Sequence, residues 1–328
     1  MFSRGERAEM GLGAWGGGAW VPAVACSVVA TSAPPDAQKP EKPWAKTLIG
    51  GSVTVVFEAF GGGHFLEFCK IAKQTSTRSY PQIVRDVTRH KGIAGVLDGF
   101  LPWGAAQSIT KGAVFSWGHA TAKKTMHGNS YLSEDATEVL SGGIGGGVQG
   151  IFMSPLLLLK TRVMTDAAFR TSGTVMETTI SSAKIGGRIV ATEGAAALLK
   201  GAGVFSFKRF CDWTTRYFFV QVVENAVQGD GPPLSKQTKV WCALGGGTLS
   251  ALATVPIDVM VATVQDASKA GKKVSIIEVY KEQMASGGIK GTLQLSTRGL
   301  VARVAHVALT TLLMKNVTSF VYDSLMRD

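Results

Sequence analysis

Two sequence markers recur three times along the chain, and this repetition constrains the fold more than any other feature. The first is a glycine-rich apolar stretch that reaches a helix-kinking position at Phe65, Pro155 and Pro256, at separations of 90 and 101 residues. The second is a glycine preceded by a polar connection, recurring at separations of 102 and 98 residues. These marker glycines are Gly99, Gly201 and Gly299. Because both markers recur at nearly the same spacing, they indicate three copies of one structural unit.

The repeat divides the 328 residues into an extension and three units. Residues 1–45 form the N-terminal extension, which we expect to be a targeting segment or a disordered arm because its glycine density and Pro22 disfavour a helix. We expect repeat 1 at 46–125, repeat 2 at 126–228 and repeat 3 at 229–328.

Each unit supplies two long apolar stretches, which predicts an all-α membrane protein with six transmembrane helices in three pseudo-symmetric pairs. The predicted spans are roughly 47–74, 101–124, 138–165, 203–226, 239–265 and 300–325. Several of these spans carry charged residues, which are costly in a bilayer unless they face a bundle interior or an aqueous cavity. The sequence therefore predicts a ring of helices around a polar cavity. Within each unit, a short amphipathic stretch between the two spans predicts a helix on the membrane surface.

The charge distribution favours a membrane over a nucleic acid as the partner of this basic chain. The net charge is +11, and the three connections inside the repeats (70–98, 160–200 and 261–298) carry +10 of it. Such an excess on one face is typical of a protein beside an anionic leaflet. The basic segments lack interleaved aromatic residues and any recognised nucleic-acid-binding module, so nucleic acid is an unlikely partner.

The sequence contains no pattern typical of an enzyme, a metal site or a cofactor site. The four cysteines lie far apart, with no C-x-x-C pair and no histidine at metal-ligand spacing. The glycine runs lack the following Lys-Ser/Thr of a phosphate-binding loop. We therefore expect no catalytic residues, no metal and no cofactor, and we interpret the glycine runs as helix-packing positions.

The stretches at the three kinks carry a resemblance to a known family. They read FLEFCKIA (65–72), PLLLLKTR (155–162) and PIDVMVAT (256–263). Three copies in phase resemble the mitochondrial carrier family, whose signature P-x-[DE]-x-x-[KR]-x-[KR] ends each odd-numbered helix. The resemblance covers about residues 46–326. Within the family, the stretch LPWGAAQSITKGAV (101–114) is most similar to the fungal branch that carries citrate and 2-oxoglutarate.

The resemblance implies a gate on the matrix side of the membrane, to which Pro155 and Pro256 would bring the kinked helix ends. In the family, the acid of each signature pairs with the base of a neighbouring copy. Carried over by position, Glu67 would pair with Lys160, Asp258 would pair with Lys70, and the apolar residues Leu157 and Val261 would meet in the third contact. In the third pair both the acid and the base of the family pattern are replaced by apolar residues. Replacing only one of them would leave a buried charge without a partner, which would be costly.

The resemblance also implies that the even-numbered helices bind the substrate. The candidate residues follow the marker glycines at helical spacing: Gln107, Lys111, Phe115, Lys208, Arg209, Arg303 and His306. Cationic groups from three helices suit a small polycarboxylate. Adjacent residues lie about 100° apart on a helix, so we expect one of Lys208 and Arg209 to face the cavity and favour Arg209.

The sequence leaves the roles of two residues open. His306 fits a packed helix residue and a substrate ligand equally well. Glu58 lies in the middle of the first helix, where it could neutralise a cavity cation, bind a proton or pair with Lys111.

These features imply a multi-pass carrier of the mitochondrial inner membrane that exchanges di- or tricarboxylates such as citrate and 2-oxoglutarate by alternating access. Both termini would face the intermembrane space, and cardiolipin would bind near Lys200-Gly201 and Arg298-Gly299. The alternative is a transport-inactive protein with the carrier fold that serves as a structural subunit of a larger membrane assembly, such as a respiratory-chain complex.

Overall fold

The computed structural model describes residues 43–127, 131–166, 168–169, 174–269 and 276–326. The regular structure in these ranges is helical throughout. Residues 1–42 of the expected extension lie outside the described residues.

Ten α-helices are described, and shorter helical turns join some of them. The α-helices are α1 (Pro43–Phe60), α2 (Gly63–Gln74), α3 (Tyr80–Lys91), α4 (Ala105–Met126), α5 (Glu134–Thr165), α6 (Val175–Glu193), α7 (Ala202–Gln228), α8 (Lys236–Lys269), α9 (Ile276–Ser296) and α10 (Leu300–Met326). Two 3₁₀ turns (Gly92–Leu97 and Ala195–Leu199) and a π turn (Phe100–Gly104) lie in the connections.

The long helices pack side by side in chain order, and the last one returns to the first. Helix α4 packs between α1 and α5, α7 packs between α5 and α8, and α10 packs against α8, α1 and α2. This packing closes a ring around a central space, where the side chains of the candidate site lie.

Glycines allow α7 to pack closely against both of its neighbours. A Cβ at Gly146 of α5 would lie 2.5 Å from the backbone oxygen of Arg209, and one at Gly246 of α8 would lie 2.6 Å from Cα of Val220. Real side chains cannot approach so closely, so larger residues at these positions would push the helices apart. The glycine runs thus hold the cationic helix α7 against the ring, as expected of small residues at helix contacts.

The three marker glycines share one backbone conformation. Their φ angles are 81° at Gly99, 82° at Gly201 and 80° at Gly299. This left-handed region is disfavoured for residues with a Cβ atom. Each marker glycine lies where the chain turns into the next long helix, which explains why glycine recurs at this point.

The predicted helix kinks differ in position from the observed breaks. The first span, predicted as roughly 47–74, is divided between α1 and α2 by Gly62, whose φ is 84°. The break therefore lies before Phe65, because a residue without Cβ can adopt the left-handed conformation that interrupts the helix. Helices α5 and α8 instead continue through Pro155 and Pro256, each of which lacks the amide hydrogen that its helical position would donate.

Two described helices are long and apolar enough to cross a membrane by themselves: Glu134–Met164 and Lys236–Thr263. A third span results if α6 and the segment Ala195–Gln228, which meet at a bend of 117°, are taken together. Helix α7 carries Lys208, Arg209, Asp212 and Arg216 in its first half, and charged residues of this kind weaken a hydropathy signal.

Short helices cover one end of the ring, as the amphipathic stretches predict. On α3, Ile83 and Val87 are buried in an apolar cluster with Phe68, Ile71 and Met164, whereas Arg85 and Arg89 are exposed. The predicted stretch in the third connection forms α9, which extends to Ser296 and is interrupted at Gly288.

Lys91 connects the first two surface helices through a hydrogen bond. Lys91 at the end of α3 lies 3.0 Å from Asp98 and donates a hydrogen bond of 2.5 Å to Thr178 of α6. The two connections at this end of the ring therefore form one layer.

Candidate functional site

A cavity of about 250 Å³ lies at the centre of the helix ring. All seven residues that the sequence predicts for substrate binding line it, as do Glu67, Lys70 and Asp258 of the predicted gate. Among the described residues, the lining includes six basic and four acidic side chains. The cavity is therefore an electropositive space surrounded by several helices.

Four charged residues form a compact group at one side of the cavity, which we call the four-charge cluster: Lys208, Asp212, Asp258 and Arg303. Lys208 Nζ lies 2.6 Å from Asp212 and 2.8 Å from Asp258. Arg303 Nη2 lies 2.6 Å from Asp212, and its Nη1 bonds Asp258. All four residues are buried, and their two positive and two negative charges compensate one another.

The pairing of Asp258 differs from the expectation. The sequence pairs it with Lys70, but the structure pairs it with Lys208 of α7 and Arg303 of α10. Arg303 presents two nitrogens to two carboxylates, an arrangement that gives stronger hydrogen bonds than a single ammonium group. No ion pair joins Lys70 to Asp258 within the described ranges, although both line the cavity.

The expectation that one of Lys208 and Arg209 faces the cavity is wrong, because both line it. Long side chains of adjacent residues can bend toward the same space while their Cα–Cβ bonds diverge. Their partners differ: Lys208 belongs to the four-charge cluster, whereas Arg209 Nε donates a hydrogen bond of 2.9 Å to Gln149 Oε1. The nearest carboxylate oxygen to Arg209 is 3.8 Å away, on Asp212.

Of the other two expected pairs, one forms an ion pair and the other lies in one apolar cluster. Glu67 forms an ion pair with Lys160, whose side chain is 2% exposed. Leu157 and Val261 are buried in one apolar cluster with Met153 and Phe205. The three contacts therefore have different chemistry: one ion pair, one apolar contact and one shared charge cluster.

Glu58 lies beside two basic groups of the cavity. Its carboxylate lies 3.1 Å from Lys111 Nζ and 3.6 Å from His306 Nε2. Glu58 is buried, whereas the Lys111 side chain is 33% exposed. The structure thus pairs Glu58 with a cavity cation, and it gives His306 both a polar contact and a ring contact, since its ring stacks on Phe57 at 6.2 Å.

Phe115 and Gln107 contribute to the cavity wall in different ways. Phe115 is buried and stacks on Trp213, with ring centroids 4.0 Å apart. It therefore acts as packing behind the cavity surface more than as an exposed ligand contact. Gln107 is half-buried on the wall formed by α4.

Three cavity residues are absent from the site that the sequence predicts: Gln149, Trp213 and Arg216. Gln149 Nε2 donates to the backbone oxygen of Lys111 at 2.6 Å, while its Oε1 accepts from Arg209. The guanidinium carbons of Arg209 and Arg216 lie 5.6 and 5.7 Å from the Trp213 ring centroid. The spacing of Arg209, Trp213 and Arg216 places these three residues on one helix face, a signal that could have identified Trp213 and Arg216 but not Gln149, which lies on α5.

A closed ring of helices around an electropositive cavity is the arrangement expected of a membrane transporter for small anions. Comparison with known sequences agrees with this class. Residues 134–231 match the sequence model of the mitochondrial carrier protein family. Over 241 residues, the chain is 26% identical to the citrate/oxoglutarate carrier protein of Saccharomyces cerevisiae, an alignment that covers 69% of this chain and 72% of that relative. The chain is thus similar to mitochondrial carrier proteins, over residues 134–231 in the family model and over about two thirds of its length in this relative.

Proposed function

We propose that this protein exchanges di- or tricarboxylates, such as citrate and 2-oxoglutarate, across the mitochondrial inner membrane by alternating access. In this proposal six transmembrane helices form three pseudo-symmetric pairs: α1–α2 with α4, α5 with α7, and α8 with α10. The surface helices α3, α6 and α9 lie on the matrix side, and both termini face the intermembrane space. The similarity to a citrate/oxoglutarate carrier supports the choice of solute.

The observation that carries the proposal is the excess of basic groups in a central cavity of about 250 Å³. These groups come from different helices: Lys111 from α4, Arg209 from α7 and Arg303 from α10. A small polycarboxylate can contact several of them at once, and its negative charge compensates theirs. Since the helices pack as a ring, such a ligand connects elements that must move relative to one another during transport.

The contacts among the signature residues supply the proposed matrix gate. The Glu67–Lys160 ion pair, the Leu157–Val261 contact and the four-charge cluster join the helices that surround the cavity. Opening toward the matrix requires these contacts to separate, and closing restores them. Asp258 bonds both Lys208 and Arg303, so a solute carboxylate that binds either cation competes with a gate residue.

The lipid environment is part of the same proposal. The basic connections face the anionic matrix leaflet, and cardiolipin binds near the starts of α7 and α10, beside Lys200 and Arg298. Backbone amides at helix N-termini favour anionic groups, and the neighbouring basic residues add to this attraction.

One observation favours the alternative of a transport-inactive structural subunit of a respiratory-chain complex or similar assembly. Lys208 and Arg303, both expected to bind substrate, already have carboxylate partners in the structure. A cavity whose cations were all neutralised in this way would have little affinity for an anion. Stoichiometric co-purification with a membrane complex, together with absent transport, would favour this alternative.

Reconstitution of the full chain into liposomes tests the proposed function. Labelled citrate should enter vesicles preloaded with 2-oxoglutarate faster than empty vesicles, and Lys111→Ala or Arg303→Ala should abolish most of this uptake. The exposed Lys184→Ala variant is the matched control, because Lys184 lies on α6 away from the cavity. Absence of exchange, or exchange unaffected by both cavity variants, would contradict the proposal.

A further inference from the structure

The acidic groups of the cavity leave some of its basic groups without a carboxylate partner. Glu67 bonds Lys160, and Glu58 lies beside Lys111. Asp212 and Asp258 are shared between Lys208 and Arg303, as the four-charge cluster shows. The nearest carboxylate oxygen to Arg209 is 3.8 Å away, and Arg216 forms no ion pair among the described residues, so the acids compensate these two guanidinium groups only weakly.

Arg216 has the less satisfied guanidinium of the two. Its Nη2 is buried and has no hydrogen-bond partner among the described residues. A buried charge without a partner is costly. Binding of an anionic ligand beside the guanidinium would remove this cost and would therefore be favourable. The neighbouring position of α8 is Gly247, where a Cβ would lie 3.4 Å from Arg216 Nη2. The small residue thus leaves space beside the guanidinium on the cavity side.

Trp213 lies between the two arginines in the sequence, and its indole ring contacts both guanidinium groups. We call this ring the Trp213 platform. Arg209 and Arg216 are seven residues apart, which separates their Cα atoms by about 10 Å along one helix face. Both guanidinium carbons nevertheless lie within 6 Å of the same ring, at 5.6 and 5.7 Å from its centroid. Guanidinium groups are held well against an indole face because of the attraction between a cation and the ring quadrupole.

Contacts from two other helices hold the Trp213 platform in place. Its ring stacks on Phe115 of α4 at 4.0 Å, and its Nε1 lies 3.4 Å from Gln149 Oε1 of α5. The same Gln149 oxygen accepts from Arg209. The Trp213 ring and the Arg209 side chain are therefore oriented before a ligand arrives, which lowers the entropic cost of binding.

We propose that Arg216 is a specificity-determining residue: together with Arg209, it binds two carboxylates of one transported anion across Trp213. This inference rests on the proposed function, since it assumes that the cavity binds a carboxylate. Each guanidinium can donate two hydrogen bonds to one carboxylate, so the pair selects solutes with at least two carboxylates over monocarboxylates.

Ligand-dependent thermal unfolding of the purified full chain in detergent tests this inference. Citrate should raise the melting temperature of the wild-type protein, and lactate at equal concentration should raise it much less. In Arg216→Gln the citrate concentration for half-maximal stabilisation should increase by about tenfold or more, as expected for loss of a charged hydrogen bond. Arg216→Lys, which retains the charge but not the fork of donors, should lie between the two.

Two further readouts separate ligand binding from a structural role. Without ligand, Arg216→Gln should melt no lower than the wild type, because the substitution removes a poorly compensated buried charge. Arg188→Gln, an exposed arginine of α6, is the matched control and should respond to citrate as the wild type does.

The possible failures are distinguishable. An Arg216→Gln variant that melts lower without citrate but retains the wild-type citrate response would overturn the role of Arg216 and leave the proposed function intact. A wild-type protein that neither responds to citrate or 2-oxoglutarate nor exchanges them would overturn both.

Discussion

The four-charge cluster and the Arg209–Trp213–Arg216 group lie in one cavity and share the helix α7, yet their basic residues have different surroundings. In the cluster, two cations are matched by two carboxylates at 2.6 to 2.8 Å or less. In the arginine group, an aromatic ring and an amide oxygen replace the carboxylates, and the nearest acid oxygen to Arg209 is 3.8 Å away. The difference indicates which charges are matched within the protein itself and which depend most on a solute for compensation.

Removing one acid of the cluster should have the largest effect on stability. Asp258→Asn leaves Lys208 and Arg303 with one carboxylate between them in a buried environment. Breaking a buried ion pair in this way costs about 3–5 kcal/mol. Thermal unfolding in detergent should show a marked decrease in melting temperature, whereas the exposed control Asp230→Asn should show almost none. Equal melting temperatures for the two variants would contradict the structural role of the cluster.

The isolated ion pair of the proposed gate should have a somewhat smaller effect. Glu67→Gln leaves Lys160 buried without its partner, at a cost of about 2–4 kcal/mol, because Glu67 is partly exposed and some water can compensate. The second substitution Lys160→Met removes the stranded charge, so the double variant should recover part of the lost melting temperature. Additive losses in the double variant would show that the two residues are not coupled.

The apolar cluster of the proposed gate tests how much packing alone contributes to stability, because no charged residue is changed. Leu157→Ala removes buried methyl groups from the cluster with Val261 and should cost about 2–3 kcal/mol. Since no ion pair is broken, the size of this loss should be the same in low and high salt. A strong dependence on salt would indicate that charged residues, and not apolar packing, hold this position.

Arg209→Lys should have the smallest effect on stability, because the positive charge is retained. The substitution loses the two hydrogen bonds that Arg209 donates to Gln149 Oε1 and part of the stacking on Trp213. We expect a cost of about 1 kcal/mol in the unliganded protein. A decrease in stability as large as that of Asp258→Asn would show that Arg209 contributes as much to folding as the four-charge cluster does.

The sequence predicts the helices well because their ends depend on local signals. The marker glycines Gly99, Gly201 and Gly299 require a left-handed conformation, so their positions determine where long helices start. The break between α1 and α2 is less predictable, because residues 61–63 are all glycine and any of them could interrupt the helix.

The sequence predicts part of the cavity lining and the Glu67–Lys160 pair, but not the partners of Asp258. All seven expected substrate residues line the cavity, because helical spacing from the marker glycines determines which face they occupy. The partner of Asp258 depends on how far Lys208 and Arg303 reach across the ring, and spacing along one helix does not contain this information. The family pattern suggested Lys70, but in this chain Lys208 and Arg303 bond Asp258 instead.

The concentration dependence of citrate exchange tests the central distinction most directly. With the protein in liposomes preloaded with 2-oxoglutarate, initial rates of labelled citrate uptake would be measured for the wild type, Arg216→Gln and the control Arg188→Gln. Arg216→Gln should raise the KM for citrate by about tenfold, the effect of one lost charged hydrogen bond, while Arg188→Gln should leave KM unchanged. An unchanged KM in Arg216→Gln would contradict the claim that the uncompensated arginines of the cavity bind the solute.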